Sequence, residues 1–181
     1  LSGRTNKSRL YGVCTIMKLF EIQNMFTPDS NGDIYCDSVG LTSLKGAPSK
    51  VGGDFNCFYN KLTSLEGAPY EVRGNFYCSN NKLTSLEHAP SEVGGNFDCS
   101  NNKLTSLHNI HKQIKRLNGI FYCNNPITSH ILGLLLIKDL KVVEGDSHAF
   151  DIVNKYLEGS RDIYDCQEEL IKAGYTEYAQ L

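Results

Sequence analysis

The sequence predicts an α/β solenoid in which short coils stack through a parallel sheet, return through mostly extended segments and end in a helical C-terminal cap. The first observation behind this prediction is a tandem repeat with a step of 21 residues, because periods of about 20–50 residues are typical of solenoids. Each repeat also carries a short alternating strand motif, whereas residues 127–181 show helical apolar spacing.

The repeat appears as columns of identical residues. Cysteine recurs at Cys36, Cys57, Cys78 and Cys99, and Cys123 follows after a longer step of 24 residues. A register shared by several columns indicates one structural unit per repeat. The same step joins two leucine columns, a phenylalanine column and a proline column: Leu41, Leu62, Leu83, Leu104; Leu44, Leu65, Leu86, Leu107; Phe55, Phe76, Phe97; and Pro48, Pro69, Pro90.

Each repeat predicts one strand with a buried face. The apolar Phe76 and Cys78 alternate with Asn75 and Tyr77, which is the period-two pattern of a half-buried strand. Glycine precedes each strand, as Gly74 does here, where the chain must bend tightly. Proline suits an extended return segment because it fixes φ and lacks a backbone donor. A single repeat cannot bury its apolar side chains alone, so we expect stacked coils to share one interior.

The cysteine column admits three interpretations. Disulfides are disfavoured because equivalent residues on neighbouring coils form one parallel column, a poor geometry for regular bridging. A zinc site is disfavoured because the chain has no Cys-x-x-Cys pair and no histidine at a suitable spacing. We expect buried, reduced cysteines that act as small hydrophobic side chains, which fits a reducing compartment.

The repeat resembles the leucine-rich-repeat family. Phe97-x-Cys99-x-x-Asn102-x-Leu104 matches the family's L-x-L-x-x-N-x-L core, with phenylalanine and cysteine in place of two leucines. The Leu-Thr-Ser-Leu sequence that continues it is similar to short bacterial repeats. The resemblance implies a leucine-rich-repeat solenoid with a concave parallel sheet and a mostly extended convex side. It also implies an interior asparagine ladder, in which the amides bond backbone groups of adjacent coils, at Asn60, Asn81 and Asn102.

The sequence divides into four parts. Its first residues carry three positive charges and no repeat relation, and they precede Met17, which resembles a natural start. Asparagine is missing from its repeat position at both ends: Val39 stands there in the first repeat, and Pro126 lies near it in the last. We expect caps at both ends. The predicted parts are a non-native or disordered leader at 1–16, an N-terminal cap at 17–32, the solenoid at 33–126 and a C-terminal helical cap at 127–181.

Helical spacing is predicted in two places. Ile110, Ile114 and Leu117 follow the helical step in the fourth return segment, which has no proline. In the C-terminal part, an apolar segment at 129–138 is predicted to close the end of the core, and a strand follows at 140–143. Two helices are predicted after it. The first is capped by Asp146-Ser147 and runs to Leu157, and the second covers 161–173 and ends at Gly174.

Composition excludes several classes of protein. The net charge of −2 argues against a general nucleic-acid binder. No stretch approaches the roughly 18–20 apolar residues that span a bilayer. Hydrophobic residues make up 40% of the chain, which excludes a wholly disordered protein. We expect a soluble protein of the cytoplasm with no membrane contact.

Taken whole, the chain from Met17 onward resembles the short leucine-rich-repeat proteins encoded by large tailed bacteriophages. The repeated Cys-Ser-Asn-Asn-Lys-Leu-Thr-Ser-Leu and the ending from Asp165 to Leu181 carry this resemblance. It implies a setting in the host-cell cytoplasm but no activity, because the role of that family is largely unassigned. Short bacterial repeats sometimes precede a cysteine ubiquitin-ligase domain, which residues 127–181 are too few to form, so we expect no ligase activity.

No catalytic motif appears in the sequence. His108 and His111 lie three residues apart and could offer two metal ligands, but without a third ligand we expect solvent-exposed helix residues. Cys166 lies among acidic residues, which raise a thiol pKa, the wrong direction for a nucleophile. An enzyme that uses Cys166 or a histidine is therefore the disfavoured rival, and we expect no enzyme, metal or cofactor.

Alternation places the neighbours of the buried columns on the concave face. These outward residues vary from repeat to repeat, as a recognition surface requires, and tyrosine is favoured at binding hot spots. The alternative is that they are only solvated strand residues. We expect an unidentified protein partner to bind through Tyr35, Asp54, Asn56, Phe58, Asn75, Tyr77, Asn96, Asp98, Tyr122 and Asn124.

Two further roles stay open. The lysine column Lys61, Lys82 and Lys103, with Lys112-Lys115-Arg116, could meet nucleic acid or another acidic partner, but Glu66 and Glu87 dilute its field and favour a solvated edge. A structural role in a virion is the other alternative. The preferred hypothesis is a non-catalytic protein-interaction module, in the setting of a phage protein that acts on a host factor.

Overall fold

The structure is a computed structural model that describes residues 25–181, so the predicted leader at 1–16 and residues 17–24 of the predicted N-terminal cap lie outside the described residues. The described chain forms stacked coils joined by parallel strands, followed by a helical region. This arrangement confirms the predicted solenoid. None of the described helices is long and apolar enough to cross a membrane.

Two parallel sheets run along the stack. The larger has six strands in the order β1-β3-β5-β7-β9-β10, and the smaller has four in the order β2-β4-β6-β8. Every pairing joins equivalent residues of successive coils, as when Phe76 lies opposite Phe55 and Phe97. The strands are β1 Ile34–Tyr35, β2 Lys50–Val51, β3 Phe55–Asn56, β4 Glu71–Val72, β5 Phe76–Tyr77, β6 Glu92–Val93, β7 Phe97–Asp98, β8 Arg116–Leu117, β9 Ile120–Tyr122 and β10 Val142–Glu144.

The core lies between the two sheets and contains the predicted columns. The phenylalanine rings stack along the solenoid axis, with centroids 5.7 Å apart for Phe55 and Phe76 and 5.0 Å apart for Phe76 and Phe97. Phe26 extends the row toward the N-terminal end, 6.3 Å from Phe55. Burying each such side chain contributes about 1.5–3 kcal/mol. The prediction that phenylalanine and cysteine point inward is confirmed, with zero exposure at Phe55, Phe76, Phe97, Cys57, Cys78 and Cys99.

The smaller sheet forms on the return side of the coils, where the sequence predicts only extended segments. Its inward residues are buried side chains that close the core opposite the phenylalanine row: Val51, Val72, Val93 and Leu117. The N–H of Gly94 donates to the carbonyl of Val72 at 2.9 Å. Extended return segments leave backbone groups that need partners, and the adjacent coil supplies them.

The predicted short helix of the fourth return segment is present as α1, Ile110–Gln113. It is one turn long, and Leu117 of the predicted helical stripe belongs to β8 instead. Ile110, Ile114 and Leu117 are all buried, so the apolar spacing still marks the residues that face the core.

The coil stack continues past residue 126, the predicted end of the solenoid. Strand β10 pairs in parallel with β9, and Val143 lies opposite Phe121. A short 3₁₀ helix, Leu132–Leu136, occupies the return side of this last coil. The apolar segment predicted to close the core is therefore part of a further coil.

Two helices cover the C-terminal end of the stack, as predicted. Helix α2 spans Ala149–Glu158 and helix α3 spans Ile163–Lys172. Asp162 caps α3 by accepting the N–H groups of Tyr164 and Asp165 at 2.9 and 3.0 Å. The two helices are tied by Glu169, which accepts from Lys155 at 2.6 Å and from the Tyr156 hydroxyl at 2.8 Å.

Candidate binding face

The six-stranded sheet presents three columns of side chains on the side away from the core, which we call the outer face. The strand register aligns these columns from coil to coil. The first column contains Asp33, Asp54, Asn75, Asn96, Ile120 and Val142; the middle column contains Tyr35, Asn56, Tyr77, Asp98, Tyr122 and Glu144; the third contains Asp37, Phe58, Ser79, Ser100, Asn124 and Asp146.

The middle column gathers the three predicted tyrosines. Tyr77 lies opposite Asn56 on one neighbouring strand and Asp98 on the other, and Asp98 lies opposite Tyr122. Because neighbouring strands are about 4.8 Å apart, each of these side chains is within reach of the next. Tyr35 at the N-terminal end is 58% exposed, whereas Tyr77 and Tyr122 are half-buried. The column therefore offers aromatic and carboxylate groups side by side.

The first column makes contacts between coils, which changes the interpretation of Asp54, Asn75 and Asn96. The Asp54 carboxylate accepts the backbone N–H of Asn75 at 2.7 Å and the Asn75 side-chain amide at 3.1 Å. Asn75 accepts the N–H of Asn96 at 2.7 Å, and Asn96 accepts that of Ile120 at 2.9 Å. Asp33 begins this row by accepting the N–H of Asp54. These side chains satisfy backbone donors rather than stand free for a partner.

A glycine column makes this row of contacts possible. The N–H of Gly74 donates to the carbonyl of Gly53 at 3.0 Å, so the backbones of successive coils lie very close at this point. A Cβ on Gly74 would collide with Oδ1 of Asp54. The sequence predicts these glycines as bends, whereas the structure assigns them to close approach between coils, at Gly53, Gly74, Gly95 and Gly119.

The side chains of the third column differ in their exposure to solvent. Ser79 is buried, Phe58 is half-buried and Asn124 is exposed. The ring of Phe58 packs edge-on against Tyr59, with centroids 5.2 Å apart. Phe58 and Asn124, both predicted as partner contacts, thus remain accessible at the margin of the outer face.

An asparagine ladder runs along the corner that follows the large sheet. Oδ1 of Asn81 accepts the N–H of Leu62 at 2.9 Å, and Nδ2 donates to the carbonyls of Cys57 at 3.0 Å and Cys78 at 3.1 Å. Asn60 and Asn102 make the equivalent bonds in their coils. Each cysteine carbonyl in the middle of the stack therefore accepts from two asparagines of successive coils.

The ladder ends at Asn125, a residue that the repeat pattern did not predict as part of it. Asn125 accepts the N–H of Asn102 at 2.8 Å and donates to the carbonyl of Cys99 at 2.9 Å. Repeat counting places Pro126 near this position, but the residue that takes the role lies one place earlier, because the corner after Cys123 is one residue shorter. The sequence signal that could have identified this residue is an asparagine two residues after Cys123, the last cysteine of the column.

The electrostatic environment of the outer face is negative. The pKa of Tyr77 is raised by burial first and then by the charges of Asp54 and Asp98. The pKa of Tyr35 is raised mainly by the charge of Asp33. Both tyrosines therefore stay protonated at neutral pH and keep a hydroxyl donor.

The lysine column lies outside this face. Lys61, Lys82 and Lys103 are exposed, and among residues 25–181 none of them forms an ion pair. Arg116, which the sequence grouped with Lys112 and Lys115, pairs with Asp139 at 3.0 Å. The three lysines therefore form one exposed row, whereas the charge of Arg116 is compensated by a carboxylate.

His108 and His111 were expected to be solvent-exposed helix residues, and each meets only half of that expectation. His108 is exposed but precedes helix α1, whereas His111 lies in α1 but is half-buried. The ring of His108 packs against that of His130, with the ring centroids 4.8 Å apart, and Nδ1 of His130 lies 3.1 Å from the Ser106 hydroxyl. His111 instead directs Nδ1 into a buried position without a hydrogen-bond partner. Within residues 25–181, no carboxylate hydrogen-bonds His130, and no group of three or more ligands could hold a metal ion. Ser106 and His130 therefore lack the third group that orients a catalytic histidine.

The thiols of the described residues are free, buried and protonated. Burial raises the pKa of Cys57, Cys78 and Cys99 well above the usual value and raises that of Cys36 to about 12. Burial, followed by the charge of Glu169, raises the pKa of Cys166 to about 11. These shifts oppose the formation of a reactive thiolate.

We expect Cys166 and the cysteine column to resist iodoacetamide in the folded protein at pH 8. Because their pKa values are raised, modification should be at least about a hundredfold slower than that of free glutathione. Peptide mass spectrometry at each cysteine measures the rate, and full labelling after unfolding in urea is the control. Rapid modification of Cys166 in the folded protein would contradict the expectation and favour the enzyme rival.

No protein family, curated protein or solved structure matches this chain.

Proposed function

We propose that this chain is a non-catalytic interaction module of the leucine-rich-repeat type that binds a protein partner through the outer face. The observation that carries the proposal is the in-register column of Tyr35, Tyr77 and Tyr122, which lies on the open side of the sheet. Tyrosine supplies a large contact area and a polar hydroxyl, and it is enriched at binding hot spots.

The contrast between inner and outer columns supports a recognition role. The inward positions repeat the same residue types in successive coils, since they fill one shared interior. The middle column of the outer face instead reads Tyr35, Asn56, Tyr77, Asp98 and Tyr122. Packing against the core does not require this variation, because these side chains point away from it.

The leucine-rich-repeat assignment is supported by the asparagine ladder. Asn60, Asn81 and Asn102 occupy the position of the family's asparagine and bond backbone groups of adjacent coils. We also propose that this module acts in an infected bacterium and binds a protein of the host. The absence of a catalytic role is supported by the raised pKa of Cys166, which disfavours a nucleophile.

A Tyr77→Ala/Tyr122→Ala variant is expected to lose its partner. Removing two hot-spot tyrosines should weaken binding by at least a hundredfold, since each contributes about 2 kcal/mol or more. The measurement is capture from bacterial lysate on immobilised protein, followed by mass spectrometry and by titration of the captured partner.

The matched control is Tyr70→Ala/Tyr164→Ala, which removes two exposed tyrosines outside the outer face. Circular dichroism and urea unfolding should show that both variants keep the wild-type fold. Capture of the partner at wild-type strength by the Tyr77→Ala/Tyr122→Ala variant would reject the proposal.

A further inference from the structure

The charged side chains of the outer face all have the same sign. Its three columns contain no lysine or arginine, and they contain six carboxylates: Asp33, Asp37, Asp54, Asp98, Glu144 and Asp146. Among residues 25–181, none of these carboxylates forms an ion pair with a lysine or arginine. The face is thus a sheet surface with uncompensated negative charge, although the whole chain carries a net charge of only −2.

We infer that the outer face binds an extended, arginine-rich segment of a partner protein, an inference that rests on the proposed function and names the chemistry of its partner. An electronegative surface attracts a positively charged segment and disfavours acidic partners and nucleic acid. The free face and its charge complementarity point to this one class of occupant.

The arrangement around Asp98 favours arginine over lysine. Asp98 lies between Tyr77 and Tyr122 in the middle column, at the spacing of adjacent strands. A guanidinium can pair with a carboxylate through two parallel hydrogen bonds and at the same time stack on a neighbouring aromatic ring. A lysine ammonium has no planar group for stacking. Burial raises the pKa of Tyr77 first, and the charges of Asp54 and Asp98 raise it further, so the hydroxyl stays protonated beside these carboxylates.

The outer face repeats this combination of tyrosine and carboxylate along the sheet. Tyr35 lies two residues after Asp33 of the first column, and its hydroxyl donates to the Asp33 carboxylate at 3.3 Å. At the other end, Glu144 lies opposite Tyr122. Six strands at about 4.8 Å spacing give a column about 24 Å long, which an extended segment of about seven residues can follow.

The test uses four labelled peptides of twelve residues, in which six alternate positions are all arginine, all lysine, all glutamate or all serine and glycine fills the rest. Fluorescence anisotropy with the wild-type chain should show the arginine peptide binding at least threefold tighter than the lysine peptide. The glutamate and serine peptides should not bind. Affinity should fall as salt rises, because screening weakens exposed charge pairs.

The matched variants change the same number of charges in two places. Asp37→Asn/Asp98→Asn/Glu144→Gln removes three of the six carboxylates of the outer face and leaves the hydrogen bonds of the first column untouched. The Asp98→Asn change keeps a side-chain oxygen that can accept the N–H of Ser100 as Asp98 does. Glu66→Gln/Glu87→Gln/Glu158→Gln removes three exposed carboxylates elsewhere. The first variant should lose at least tenfold in affinity for the arginine peptide, and the second less than twofold.

These experiments distinguish failure of the arginine inference from failure of the proposed function. Equal affinity for the arginine and lysine peptides, or wild-type affinity of the outer-face variant for arginine, would overturn the inference. A wild-type dimer, detected by sedimentation, that dissociates in the outer-face variant would also overturn it by making a second copy the occupant. If lysate capture still depends on Tyr77 and Tyr122 in these cases, the proposed function stands and only the arginine-rich partner is rejected.

Discussion

An Asn81→Ala variant is expected to lose about 3 kcal/mol of its free energy of unfolding. The Asn81 side chain accepts the N–H of Leu62 and donates to the carbonyls of Cys57, Cys78 and Ser79. Alanine leaves the Leu62 donor buried without its acceptor, and an unsatisfied buried group costs about 1–3 kcal/mol. The affected carbonyls add to this cost because Asn81 is itself buried and water replaces it poorly.

The loss is large relative to the whole stability of such a domain, which is typically about 5–15 kcal/mol. Urea unfolding measures it, and a slope of about 2 kcal/mol/M converts 3 kcal/mol into a midpoint about 1.5 M lower. Asn118→Ala is the matched control, since Asn118 is exposed and its side chain forms no hydrogen bond with residues 25–181, whereas its backbone N–H donates to Val93. We expect it to stay within about 0.5 kcal/mol of wild type. Equal midpoints for the two variants would show that the ladder does not hold the coils together.

A Gly74→Ala variant is expected to destabilise the fold by about 2 kcal/mol or more. The added Cβ would lie 2.7 Å from the carbonyl carbon of Gly53 and 2.8 Å from the backbone N of Asp54, and it would overlap Oδ1 of Asp54. That oxygen cannot swing away freely because it accepts two hydrogen bonds from Asn75. Overpacking of this kind costs about 1–3 kcal/mol, and any lost ladder bond adds to it.

Gly52→Ala provides the comparison, because a Cβ at Gly52 meets nothing within 4 Å. We expect this variant to be neutral or more stable by about 0.4–1 kcal/mol, since alanine restricts the unfolded chain. Thermal and urea unfolding of the two variants measure the difference. If Gly74→Ala were as stable as Gly52→Ala, the close backbone approach of successive coils would not be required.

The inner columns could be predicted from the sequence because their signal is local and repeated. Phe76 and Cys78 alternate with polar neighbours, and the same alternation recurs in each coil, so the buried face follows from period-two geometry. The C-terminal helices were predicted for the same reason, since Phe150, Val153 and Leu157 follow the helical step and are buried. In both cases, the burial of one residue is encoded by its near neighbours in the chain.

The candidate face could be predicted only in part. Alternation placed Asp54, Asn75 and Asn96 outward, but it carries no information about whether an outward side chain is used by the next coil. The structure shows that these three accept backbone N–H groups across coils. Among residues 25–181, the side chains of Tyr77 and Asp98 accept no backbone N–H from another coil, so they remain available on the same face.

The sequence by itself determined the repeat step, the inward columns and the tyrosines that lie between them, because each depends on spacing within one coil. Tertiary structure alone decided the second sheet, the use of Asn125 in place of Pro126, the close packing at Gly74 and the parallel pairing of β10 with β9. These features arise from contacts between residues about 20 or more positions apart, where backbone donors and acceptors of one coil must find partners on the next.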